Sequence, residues 1–288
     1  MEFEGGVRMR LLTCTAIAAA LVMSTAACTQ QENATGNEAA STEAAGDLTA
    51  LNGTWKTDKA SVKFEGKPDD ILLQQGTYKC STCIPPLEVA ADGQFHDVAG
   101  RAYSDSMSVK AVDDKTVEMK SRKGGRDTFL ATMIVSADGN TLTRKFKDSS
   151  TPNAAAVEGA STSTRAGPAP AGAHAVSGQW APNQVNEYSE DALNATYAID
   201  GKKVTWSGQG QTYTAEIGGP AVPVMGDIGG STVTVTQDGN SLKETFSRDG
   251  KVVNEAVTTV SADGKSLTWV SSDPRDGSKV SGTAAKTN

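Results

Sequence analysis

The residues of this 288-residue chain most able to do chemistry are Cys80 and Cys83, set as Cys-Ser-Thr-Cys within "YKCSTCIPP". Cysteines at this spacing serve as a redox dithiol, as half of a metal clip or as a disulfide staple. A redox dithiol needs its first thiol at a helix N-terminus, where the helix dipole favours the thiolate. Pro85 and Pro86 follow instead, and they favour extended chain. A zinc clip needs four donors, and the histidines are His96 and His174 alone. His174 falls in a linker and His96 on a strand beside Asp97, so no metal site is expected. Neither a G-x-S-x-G nucleophile nor a phosphate loop is present; "GQGQTY" from Gly208 lacks the required lysine. The adjacent carboxylates Asp69-Asp70 and Asp113-Asp114 point to opposite faces of a strand and read as solvated turn residues. Tyr103, Tyr188, Tyr197 and Tyr213 read as core. No catalytic or cofactor-binding residue is expected.

The compartment narrows what the two cysteines can be. Arg8 and Arg10 precede an apolar run from Leu11 to Val22 and a small-residue stretch ending at Cys28. That order describes an export signal over residues 1–28. The run is shorter than the ~20 apolar residues of a membrane-spanning helix. Thr25-Ala26-Ala27-Cys28 resembles a bacterial lipobox, with Thr25 where leucine is usual. The resemblance implies a lipid on Cys28, and Thr29 in place of Asp implies the outer membrane, facing the periplasm. Cys14 leaves with the signal, so an oxidising compartment makes a Cys80–Cys83 disulfide the default. A net charge of −7 and a pI near 5.0 argue against nucleic acid, which recruits basic stripes.

The elements that position these cysteines come from a duplication. "VSADGNTLT" from Val135 recurs as "VSADGKSLT" from Val260, seven of nine residues identical at an offset of 125. The same offset pairs Trp55 of "GTW" with Trp180 of "GQW" and Gly125 with Gly250. Residues 29–47 lack the apolar content to offset chain entropy and read as a disordered tether. Residues 167–176 carry the Pro/Ala pattern of a semi-rigid linker. One repeat then covers 48–166 and the other 177–288.

Both repeats read as antiparallel β. "STVTVTQDGNSLKETF" alternates Val233 and Val235 with Thr232, Thr234 and Thr236, then turns at Asp238-Gly239. Asp-Gly occurs seven times, at Asp92, Asp138, Asp200, Asp238, Asp249, Asp263 and Asp276, and supplies the positive φ of hairpin turns. Seven to nine short strands per repeat would close a small barrel. A short helix is expected within Asn186–Leu193. Aligning the repeats through Gly93 and Gly219 sets "CSTC" opposite Trp206 to Gln209, so the turn forms without cysteines in the second copy.

The early "GTW" and "GQW", the hairpin meander, "VDDKTVEMKSRKGG" and the late "VSADG" resemble exported bacterial lipoproteins with tandem lipocalin-like β-barrels. The resemblance implies that Trp55 and Trp180 close the barrel ends. The function expected is a non-enzymatic envelope module. Its partners would be the membrane through the lipid anchor and a small apolar ligand or an envelope protein. The alternative is an envelope thiol-disulfide oxidoreductase acting through Cys80 and Cys83.

Overall fold

The computed structural model describes residues 46–287. The signal segment, Cys14, Cys28 and nearly all of the tether lie outside the described residues. The first repeat contributes β1 (Gly53–Thr57), β2 (Lys63–Glu65), β3 (Asp69–Gln74), β4 (Thr77–Cys80), β5 (Leu87–Ala90), β6 (Asp92–Asp97), β7 (Ser106–Asp113), β8 (Thr116–Lys123), β9 (Arg126–Val135), β10 (Thr141–Asp148) and β11 (Val157–Arg165). The second contributes β12 (Gly178–Tyr188), β13 (Asn194–Asp200), β14 (Lys203–Gly208), β15 (Gln211–Glu216), β16 (Val222–Pro223), β17 (Thr232–Asp238), β18 (Ser241–Arg248), β19 (Lys251–Val260), β20 (Ser266–Asp273) and β21 (Ser278–Thr287). Helical structure among the described residues is confined to short 3-10 turns at Leu48–Leu51, Lys59–Ser61 and Glu190–Leu193.

Alternation builds these strands. In β8, Val117, Met119 and Ser121 are buried while Glu118, Lys120 and Arg122 lie on the wetter face. In β18, Leu242, Glu244 and Phe246 take the inward positions. Asp249 and Gly250 both have positive φ, 50° and 73°, and make the two-residue turn between Arg248 and Lys251. Asp92-Gly93 departs from the pattern, because it opens β6 at a register shift instead of making a hairpin turn.

The strands form two nearly closed antiparallel barrels, one of ten strands (barrel I) and one of eleven (barrel II). Barrel I runs β5-β4-β3-β12-β11-β10-β9-β8-β7-β6. Barrel II runs β15-β14-β13-β1-β21-β20-β19-β18-β17-β16, with β2 also on β21. At the seam of barrel II, Thr212 and Met225 exchange backbone bonds of 3.1 and 2.8 Å, and Gly218 N donates to Val235 O at 2.7 Å.

The barrels do not coincide with the repeats. β1 of the first repeat lies between β13 and β21 of the second, and β12 of the second lies between β3 and β11 of the first. The repeats have traded their first strands, which corrects the division into a barrel over 48–166 and another over 177–288. The Pro/Ala segment is corrected with it: it joins β11 to β12 inside barrel I and is pinned there. Arg165 donates to Gly139 O, Ser177 O and Ala175 O at 2.6 to 2.8 Å, and His174 N donates to Leu73 O at 2.9 Å. The barrels pack side by side. Gln209 Nε2, between β14 and β15, bonds Tyr188 Oη at the end of β12 at 3.4 Å, and Arg248 Nη2 of β18 bonds Tyr103 Oη at 3.0 Å.

Candidate functional site

Cys80 ends β4, opposite Ile71 on β3 and Leu87 on β5, and is joined to Cys83 across the turn. The Cα atoms are 5.4 Å apart, and both residues are buried, at 0% and 2% exposure. The turn is tied down by Ser81 Oγ donating to Asp70 Oδ2 at 2.7 Å and by Asp70 N donating to Thr82 Oγ1 at 3.0 Å. Sulfurs so enclosed offer no face to a large redox partner. The register confirms the alignment of the repeats: Cys80 faces Ile71 where Trp206 faces Tyr197. In barrel II, Trp206 stacks on Tyr213 at 5.8 Å, filling the space that the disulfide fills in barrel I.

The other sequence-marked residues do not join this pair. His96 Nε2 bonds Asp92 Oδ1 at 2.9 Å, and that contact holds the Asp92 carboxyl below its usual range. Its partner is therefore Asp92, not the adjacent Asp97. His174 Nδ1 accepts from Val176 N, while Nε2 contacts Asp113 O at 2.6 Å, which assigns the Nε2–H tautomer. The four tyrosines are buried as expected.

Two buried polar clusters lie in the barrels without any sequence motif to mark them. In barrel I, Asp69 and Arg144 sit 3.9 Å apart, at 2% and 9% exposure. Burial pushes the Asp69 carboxyl up against the pull of Arg144. Tyr78 lies in the same core, and burial raises its hydroxyl; Tyr78 Oη has no hydrogen-bond partner among the described residues. Reading Asp69 as a solvated turn carboxylate is therefore wrong, although its neighbour Asp70 does point the other way. In barrel II, Tyr213 donates to Glu244 Oε1, and Tyr197 Oη lies 3.3 Å from Thr258 Oγ1. Burial of Glu244 raises its carboxyl to about 7, partly offset by the Tyr213 hydroxyl.

The clusters are complementary between barrels. Cross-strand register equates Asp69, Tyr78 and Arg144 with Ala195, Val204 and Trp269. It equates Tyr197, Tyr213, Glu244 and Thr258 with Ile71, Leu87, Met119 and Met133. Each barrel is polar where the other is apolar, so each cluster belongs to its own core packing. Both interiors are occupied by side chains, Trp55, Trp180 and Trp269 being at most 1% exposed. On the outside, a depression of about 430 Å³ lies beside β1, lined by Asn52, Tyr197, Ile199, Asp200, Lys203 and Thr205.

The fold and these sites define a class: an all-β protein of two strand-exchanged, side-chain-filled barrels, one of them stapled by a disulfide. Compared with known proteins, the chain matches no family model, no curated protein and no solved structure.

Proposed function

We infer that the chain is a non-enzymatic binding protein of the cell envelope, held to the outer membrane by lipid on Cys28 and working through the outer surfaces of its barrels. The observation that carries this reading is the filled state of both interiors. Trp55, Trp180, Trp269, Tyr78, Tyr197 and Tyr213 are all at most 2% exposed. The wide lumen that an apolar ligand would need is taken up by side chains, which leaves surface recognition. The depression beside β1, rimmed by Asp200 and Lys203, suits a small polar ligand or a polar segment of an envelope protein. Two measurements test this. Labelling cells with an alkyne palmitate should tag the wild type and not Cys28→Ser; an unlabelled wild type removes the anchor. Native mass spectrometry of protein extracted from its own membranes should reveal a bound species that Lys203→Glu loses. A ligand indifferent to Lys203→Glu would move the site elsewhere.

The disulfide itself supports the alternative, thiol-disulfide exchange through Cys80 and Cys83. Burial of both residues weighs against it, since exchange requires in-line access to a sulfur. Insulin reduction above background by the wild type, abolished in Cys83→Ser, would replace the binding reading with the enzymatic one.

A further inference from the structure

The slots that receive β1 and β12 are built alike. Gly53 opposes Tyr197 and Trp55 opposes Lys286; Gly178 opposes Ile71 and Trp180 opposes Arg165. Each tryptophan donates its indole N–H to the carbonyl four residues back, Trp55 to Leu51 O at 2.7 Å and Trp180 to Val176 O at 2.8 Å. A cation covers each ring, Lys286 at 5.0 Å and Arg165 at 4.1 Å. The residue before each glycine clamps the backbone of the neighbouring strand. Ser177 Oγ accepts from Leu73 N and donates to Leu73 O, at 2.8 and 3.2 Å. Asn52 Oδ1 accepts from Ile199 N and Nδ2 donates to Ile199 O, at 2.5 and 3.2 Å. Leu73 and Ile199 are equivalent by register, so each slot reads the same features: a polar residue, a glycine and, two positions on, a tryptophan.

We propose that the chain has a second state, in which β1 and β12 trade slots and each repeat closes on its own first strand. The connections permit it. β3 walls the slot of barrel I and follows β1 in sequence after residues 58–68; β13 walls the slot of barrel II and follows β12 after residues 189–193. In the traded state residues 166–177 would run from one barrel to the other, and twelve extended residues reach roughly 40 Å. Three sets of contacts favour the state described here. One pins that segment to barrel I, through His174 N to Leu73 O and His174 Nε2 to Asp113 O. Another is the packing of Tyr188, at the end of β12, on Phe146 of β10 within barrel I. The third holds residues 58–65 to β21 of barrel II, through Asp58 N to Thr283 O, Thr283 N to Ser61 Oγ and the pairing of β2 with β21. Removing the side chains of His174 and Tyr188 weakens the first two and shifts the balance without altering the walls of either slot.

Disulfide trapping in the full chain, with Cys14→Ser and Cys28→Ser, tests the proposal. Thr54→Cys with Thr196→Cys reports the described state, where the two hydroxyl oxygens are 2.9 Å apart. Thr54→Cys with Asp70→Cys reports the traded state, because Gln179, the counterpart of Thr54, opposes Asp70. Lys56→Cys with Thr164→Cys reports it from the other wall, since Ala181, the counterpart of Lys56, opposes Thr164. This second pair lies at exposed positions and guards against misfolding of the first. The expected result is a 54–196 bond in the resting protein. The 54–70 and 56–164 bonds should form during refolding from urea. They should rise about tenfold in His174→Ala with Tyr188→Ala, the shift given by about 1.4 kcal/mol of lost contact. Absence of both reporter bonds during refolding and in the double variant overturns the proposal. So does a resting protein that forms them and never the 54–196 bond, because then no exchange exists.

Discussion

At the residue scale, the disulfide and the buried carboxyl of barrel II make opposite demands. Cys80–Cys83 closes a four-residue loop, worth about 2 kcal/mol in the chain-entropy model. Cys83→Ser should therefore lower the urea midpoint by a corresponding amount with an unchanged denaturant slope; an unchanged midpoint would mean the staple adds nothing. Glu244 acts through protons. Its carboxyl is raised from 4.5 to about 7 in the folded protein, so the unfolded chain gives up this proton first as pH rises. The stability linked to it is complete below about pH 4.5, declines between there and about pH 7, and is lost above. At about 1.4 kcal/mol per pH unit the whole span is about 3 kcal/mol. Glu244→Gln keeps an acceptor for Tyr213 and should flatten that decline, matching the wild type at pH 4 and exceeding it at pH 8. Parallel urea curves at the two pH values decide the matter. The parity of both clusters was open to reading: Leu242, Glu244 and Phe246 share a strand face, as do Leu142, Arg144 and Phe146 and as do Asp69, Ile71 and Leu73. No motif marks either cluster, because a single buried charge on an apolar strand face has no fixed spacing to a partner.

At the scale of elements, the hairpins follow local chemistry and the first strands do not. A turn such as Asp249-Gly250 needs only its own residues to take positive φ, so the meander is legible from composition and spacing. β1 and β12 present the same Gly-x-Trp pattern to equivalent walls, and a pattern that fits two slots cannot say which one it fills. The consequence is measurable. Trp55→Ala should cost about 3–5 kcal/mol, as large aromatic truncations do. Its damage should fall on barrel II, with hydrogen exchange accelerating in β13 and β21 and not in β3 or β11. Trp180→Ala should show the reverse. Loss of protection in the mutated strand's own repeat would contradict the exchange. Gly159 records how close β11 and β12 come: an added Cβ would stand 2.7 Å from Glu187 O and 2.6 Å from Phe146 Cζ.

At the scale of the whole molecule, the exchange makes two barrels one interlocked body. Residues 168–172 are solvent-exposed, and a protease cut there would leave two fragments, each holding a strand inside the other's barrel. The fragments should co-elute on gel filtration and separate only after unfolding; prompt separation in native buffer would mean the strands are not exchanged. The exchange also places the entry of the chain. Residues 48–57 belong to barrel II, so a lipid-bound N-terminus would hold the second repeat's barrel nearest the membrane. From the sequence alone came the duplication, the antiparallel hairpins and the pairing of Cys80 with Cys83, because side-chain alternation, turn chemistry and short cysteine spacing act over a few neighbouring residues. Tertiary structure alone decided which repeat each first strand completes, what the Pro/Ala segment joins and that the interiors are filled. Those outcomes depend on contacts between residues a hundred or more positions apart, where packing and not local preference selects among equivalent partners.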